Sequence, residues 1–165
     1  METITLRRAM QHDAASICTV LIRSVREICA RDYGHDEALL RTWCANKTVE
    51  NVTQWIGSPA HYCIVAEHAV HGLIGVGLLH EPAGEVLLCY ILPEVLHGGV
   101  GKRILATLEQ QARRYGHVHV RLVSTITAQD FYRRNGDIPD GAPTAPHGIT
   151  GFPMLKHLGE LSSAE

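Results

Sequence analysis

The stretch ILPEVLHGGVGKRILATLEQQARRYG, residues 91–116, runs from the end of an apolar strand through a proline and three glycines into an amphipathic helix. Ile104, Leu105, Leu108 and Ala112 fall on one stripe of that helix, and Arg103, Thr107, Gln110, Arg113 and Arg114 on the other. A helix that opens near Gly99 leaves its first N–H groups without intrahelical partners, at the positive end of the helix dipole. Gly98, Gly99 and Gly101 carry no side chains to keep a diphosphate from those groups, and Lys102 and Arg103 add positive charge. Two phosphate motifs fail here. The P-loop pattern needs glycine at Leu96 and Ser or Thr at Arg103, and the dinucleotide fingerprint needs glycine at Ile104.

Upstream of this loop lie three apolar runs, HYCIVAEH (61–68), GLIGVGLLH (72–80) and EVLLCYIL (85–92). The links AVHG and EPAG carry turn glycines, so the three form an antiparallel meander. Val86 to Leu92 is apolar at every position, which predicts a central strand covered on both faces. Before them, Ile4 and Leu6 alternate as in a half-buried first strand, and Asp13 is placed to cap a helix running to about Ala30. A second helix fits residues 36–47. A third starts after Thr48, with Val49, Val52, Trp55 and Ile56 inward. Downstream, HVHVRLVS reads as a strand, TAQDFYRRNG as a short helix ended by Gly136, and GFPMLKHL as a last strand. Pro139, Pro143 and Pro146 with Gly141 and Gly148 deny the intervening loop regular structure.

The chain has 165 residues, 45% of them hydrophobic, enough for one domain with its own core. A net charge of -2 with 19% charged residues gives no field that would draw nucleic acid or anionic lipid, so partners are chosen by a site. Five cysteines, odd in number and without CxxC spacing, read as reduced core thiols. The N-terminal sequence lacks a secretion signal and no apolar run is long enough to span a bilayer, so a cytoplasmic, non-membrane protein is expected. Eleven histidines form no HExxH or Cys-His cluster, and His117 and His119 merely alternate along one strand, so no metal is expected.

The order of these elements, with EVLLCYILPE, LHGGVGKRIL and AQDFYRRNG, resembles the GNAT superfamily of acyl-CoA N-acyltransferases over residues 3–158, with 159–165 as a frayed tail. The resemblance implies an α/β (α+β) fold with a mixed, mostly antiparallel central sheet flanked by helices. It implies that residues 96–103 (Leu96, His97, Gly98, Gly99, Val100, Gly101, Lys102 and Arg103) bind the diphosphate of acetyl-CoA. Leu96 stands where Gln or Arg is usual. The YILPE segment is similar to the family's YVxPE strand, so Cys89, Tyr90, Ile91 and Leu92 would meet the pantetheine arm and thioester. AQDFYRRNG is similar to AxxFYxxxGF, which puts Tyr132 where a tyrosine commonly protonates the departing thiolate. Asp137 replaces the usual aromatic residue, and Thr125 an asparagine that contacts the cofactor.

The implied reaction is direct acetyl transfer to a primary amine of a small molecule or peptide. An alkylamine with a pKa near 10.4 must first lose a proton, at about 4.6 kcal/mol at pH 7. For the base, Glu85 ranks ahead of His80 and Glu81, with water as an alternative carrier. In the acceptor region, Asp32, Asp36, Asp137 and Asp140 would attract a cation, whereas Arg23, Arg26 and Arg31 would bind a carboxylate, so the acceptor stays open. A protein lysine or N-terminal acetyltransferase, and a non-catalytic acyl-CoA-binding module, are the alternatives. A helix or strand edge could support a homodimer, which the sequence does not establish.

Overall fold

The structure, a computed structural model, describes residues 3–159. The expected tail lies almost wholly outside that range. Seven strands form one sheet in the order β1-β2-β3-β4-β5-β7-β6. Strands β1 (Ile4–Arg8), β2 (His61–His68), β3 (Gly72–His80) and β4 (Glu85–Ile91) pair antiparallel in succession, as the turn glycines predict. β5 (His119–Ser124) lies parallel to β4, and β7 (Phe152–His157) runs antiparallel to β5. β6 (Ile138–Pro139) is a two-residue edge strand in a segment expected to be wholly irregular. The edge is where a strand proline costs no ladder hydrogen bond.

Alternation along the strands splits the core into two layers. Ile64 and Ala66 face the helix α5 (Val100–Tyr115), joining its buried Ile104, Leu105, Leu108 and Ala112. Cys63, Val65, Val76 and Leu78 face the other way, onto Ile17, Cys18, Val20 and Leu21 of α1 (Ala14–Ile28) and Val52 of α4 (Val49–Gly57). The α1 stripe does not continue smoothly to Ala30. The chain breaks at Cys29 into a short α2 (Ala30–Tyr33), which the Tyr33 hydroxyl ties back by donating to Arg26 O at 2.6 Å. α3 (Glu37–Cys44) starts at Asp36, which accepts the Ala38 N–H at 2.9 Å, and α4 starts at Thr48, which accepts the Asn51 N–H at 3.1 Å.

Two readings need correction, and a third needs a limit. Asp13 sits at the start of α1 but caps nothing there. Its carboxylate accepts the Met10 N–H and both Arg7 Nη groups, and that guanidinium holds the Asp13 carboxyl below its usual range. Val49 is exposed, because the first turn of α4 lies beyond the packed layer. Most consequentially, β4 packs on α1 with one face and on α5 with the other, as expected, but its β5-side edge is open. Only Val86 is buried, Leu87 is exposed, and the rest is half-buried because β5 leaves its side after two residue pairs.

β3 can carry α5 this close only because it lacks side chains at two positions. A Cβ at Gly77 would lie 2.6 Å from Ile104 Cγ2 and 3.0 Å from Leu108 Cδ1, and one at Gly75 2.7 Å from Ile104 Cδ1. Gly77→Ala is therefore expected to destabilise the fold by about 1–3 kcal/mol through overpacking. Urea unfolding should show a lower midpoint at unchanged slope. A midpoint equal to wild type would mean that α5 does not press on β3.

Candidate active site

The site begins with a fault in the sheet. β4 pairs with β5 only at Glu85–Arg121 and Val86–Leu122. On its other side, the register with β3 shifts so that Leu87 is the extra residue, since Leu88 faces Leu78 and Val86 faces Leu79. A bulge bends a strand and increases its twist. Past it the β5-facing edge of β4 has no strand partner, and a cleft of about 830 Å³ opens between the two strands.

The cleft crosses the sheet. Leu88 and Tyr90 pack with the α1 layer and Cys89 and Ile91 with the α5 layer, and all four line it. On the α5 side it is bordered by Leu96, His97, Gly99, Gly101 and Lys102, and by Phe131, Tyr132, Arg134 and Asn135 from α6 (Gln129–Arg134) and its end. The other mouth is bordered by Ser24, Ile28 and Cys29 of the α1 region. Thr125 and Thr127 of the turn after β5 also line the cleft, Thr127 being tied to Asp32 of α2 by a hydrogen bond.

At the α5 mouth, Gly99 is left-handed (φ 84°) and its carbonyl accepts the first bond of α5, from Arg103 N at 3.1 Å. The N–H groups of Val100, Gly101 and Lys102 precede that bond and have no acceptor within the helix. His97 is also left-handed, with φ 62°. Four other predicted positions do not line the cleft. Val100 is buried in the core, Arg103 turns away to donate to Ile4 O at 3.2 Å, the exposed Gly98 is not part of the lining, and neither is Leu92. Conversely, sequence reasoning missed Arg134 and Asn135. They follow Phe131 by three and four positions, the spacing that puts side chains on one helical face.

Tyr132 is 7% exposed, and burial pushes its phenol well above the ordinary value, so it stays protonated. Cys89 donates its thiol to Gly101 O at 3.8 Å, and burial pushes it up to about 12. Thr125 Oγ1 accepts the Ala128 N–H at 3.1 Å, fixing the turn into α6. Glu85 is not brought to the cleft. It sits where β4 and β5 are still paired and lines a separate small pocket with Arg121 and Asp140, because the bulge at Leu87 intervenes. His80 and Glu81 lie at the same end, holding Ala83 N and Gln111 Nε2.

None of the charged candidates of the expected acceptor region lines the cleft. Asp36 caps α3, Asp140 pairs with Arg121, and Arg23 pairs with Glu27 and Glu94. Asp137 is buried behind the cleft near Glu109 and Lys156. Asp32 is bound to the turn after β5.

The profile of the acetyltransferase (GNAT) domain matches residues 29–158. The chain belongs to the GNAT acetyltransferase family. Its GNAT fold is shared with a GCN5-related N-acetyltransferase from Rhodopseudomonas palustris, at a TM-score of 0.82 and 19% identity over 95% of this chain and 97% of that one. The PaiA N-acetyltransferase of Thermoplasma acidophilum, in complex with coenzyme A, matches at 0.75 and 23% identity over 94% and 99%. N-acetylglutamate synthase of Neisseria gonorrhoeae, complexed with coenzyme A and N-acetyl-glutamate, matches at 0.68 and 19% identity over 96% of this chain and 36% of that one. No curated protein sequence matches the chain. Among the described residues no helix of this GNAT protein is long and apolar enough to cross a membrane, and no group of His, Cys, Asp and Glu is arranged to hold a metal.

Proposed function

We propose that the chain is an acetyl-CoA-dependent N-acetyltransferase that moves the acetyl group directly onto a primary amine of a small molecule or peptide. The observation that carries this reading is the cleft that crosses the sheet where β4 leaves β5, with the unpaired N–H groups of α5 at one mouth. Those N–H groups, with Lys102 and Arg134 beside them, suit a diphosphate. The open edge of β4 at Cys89, Tyr90 and Ile91 suits an extended amide-containing arm, which can add to a strand edge as a strand would. Tyr132, held as a phenol, suits proton donation to a departing thiolate.

The state of the thiols supports direct transfer. Burial pushes Cys29 and Cys89, the two cysteines that line the cleft, up to about 12, so neither supplies thiolate near pH 7. Because Glu85 stands away from the cleft, we assign deprotonation of the amine to water rather than to that carboxylate.

Calorimetry with coenzyme A tests the reading. Wild type should bind, and Gly99→Val should bind at least about 10-fold more weakly, since a β-branched residue is strained at positive φ and would distort the mouth. Free-thiol release over a panel of primary amines then tests transfer. Binding without turnover across the panel would point to a non-catalytic module, and no binding would sink both readings.

A further inference from the structure

The α1-side mouth has its own polar device. Thr127 lines the cleft, and behind it stands Asp32 of α2, 8% exposed. Asp32 Oδ2 accepts the Thr127 hydroxyl at 2.6 Å and a longer contact from the Thr127 N–H at 3.4 Å, while Oδ1 accepts the Ile126 N–H at 2.7 Å. All three donors are neutral. The ion pairs among the described residues involve other carboxylates, so no lysine or arginine there balances Asp32.

A buried carboxylate ordinarily comes with a cation, because an unbalanced charge is costly away from water. Clasping a turn needs acceptor oxygens, not a full negative charge. Thr127 lines the cleft, and since the one proton of its hydroxyl is committed to Asp32, that oxygen can only accept from a group bound beside it, with the carboxylate's charge on its donor side. The neighbouring titratable groups do not cancel it. Burial and then Asp32 itself push Cys29 up to about 12, and burial, Cys29 and Asp32 push Tyr90 up, so both are neutral. Lys47, beyond Cys29 and Cys44, has its Nζ on Trp43 O and Asn46 Oδ1, and burial lowers its pKa.

We propose that the Thr127 oxygen, backed by Asp32, receives the ammonium group of a cationic primary amine at this mouth, which makes an alkylamine the acceptor class. The proposal rests on the acetyl-transfer reading above. Thr127 touches the substrate, and Asp32 is a positioning residue that acts through it. The pair accepts hydrogen bonds from the ammonium and orients it, and water takes its proton. In the transfer, the nitrogen lone pair forms the C–N bond and the electrons of the C–S bond leave with sulfur. Both protons that nitrogen sheds go to water, and sulfur takes its proton from Tyr132, which water then reprotonates. The same pair stabilises the positive charge on nitrogen while the tetrahedral adduct exists.

The test titrates n-butylammonium, and separately n-butanol of matching shape, into the protein with and without coenzyme A, following the amide NMR signals of Ile126 and Thr127. Wild type and Thr127→Ser should respond to the ammonium and not to the alcohol. Thr127→Val and Asp32→Asn should bind the ammonium at least about 10-fold more weakly and lose the preference over the alcohol. A clasp that is only structural would leave that preference intact in Asp32→Asn. An equal response to the alcohol, unchanged affinity in Thr127→Val, or no response at Ile126 and Thr127 in protein that binds coenzyme A overturns the proposal. Ammonium binding in protein that fails to bind coenzyme A would sink the transfer reading and leave this subsite standing.

Discussion

Tyr132→Phe is expected to lower kcat by at least about 100-fold while the Kd for coenzyme A stays within about 2-fold of wild type. The phenol is 7% exposed and packs edge-on against Phe131, so removing one oxygen leaves the ring's packing in place. What it removes is a proton held ready at the cleft. An ordinary phenol near 10 giving its proton to a thiol near 8.5 faces about 2 kcal/mol uphill. Burial widens that gap, so in the proposed role the proton would move only as the C–S bond breaks, its hydrogen bond strengthening as charge appears on sulfur. Steady-state rates with free-thiol detection, alongside calorimetry, read both quantities. A kcat near wild type would remove Tyr132 from the chemistry, and a matching fall in coenzyme A affinity would make it a binding residue instead.

The second large effect lies behind the cleft. Asp137, 3% exposed, has neither carboxylate oxygen hydrogen-bonded, and Glu109 Oε2 is likewise unpartnered while Lys156 Nζ holds Glu109 Oε1 at 3.0 Å. Burial first, then the Glu109 charge, raises the Asp137 carboxyl from 3.8 to about 6, with Lys156 pulling the other way. The folded state therefore binds this proton more tightly than the unfolded chain does. Its stabilising contribution is complete below about pH 4 and is lost as pH rises through about 6, a swing of about 3 kcal/mol. Asp137→Asn removes that titration. Urea unfolding should find the stability difference between variant and wild type moving in the variant's favour by roughly that amount from pH 4 to pH 7.5, whatever fixed cost the unpaired amide adds. A difference that stays constant over this range would mean that the carboxyl is solvated or partnered in the folded state.

The presence of an acid at 137 was legible in the sequence, but its consequence was not. A residue-by-residue comparison with AxxFYxxxGF marks Asp137 only as a departure from an aromatic position. That it lies near a second carboxylate from α5 and a lysine from β7 depends on elements distant in sequence meeting beneath the sheet.

Much of the fold was written locally. β2 and β3 have the bounds their apolar runs give, Thr48 and Asp36 cap the helices they precede, and Gly99 takes the left-handed conformation that opens α5. These features depend on hydrophobic period, a short side-chain hydrogen bond and a missing Cβ, all of which act within a few residues. The cleft obeys a different rule. An all-apolar β4 reads as a strand buried on both faces, because composition cannot say how long its neighbour stays beside it. Only the assembled sheet, with its bulge at Leu87 and its two-pair contact to β5, turns that apolar edge into the wall of a cavity. The same long-range geometry leaves Glu85 at the closed end and sets Asp32 behind Thr127, 95 residues further along the chain. Register and strand divergence are settled by contacts between distant segments, and a linear pattern carries no record of them.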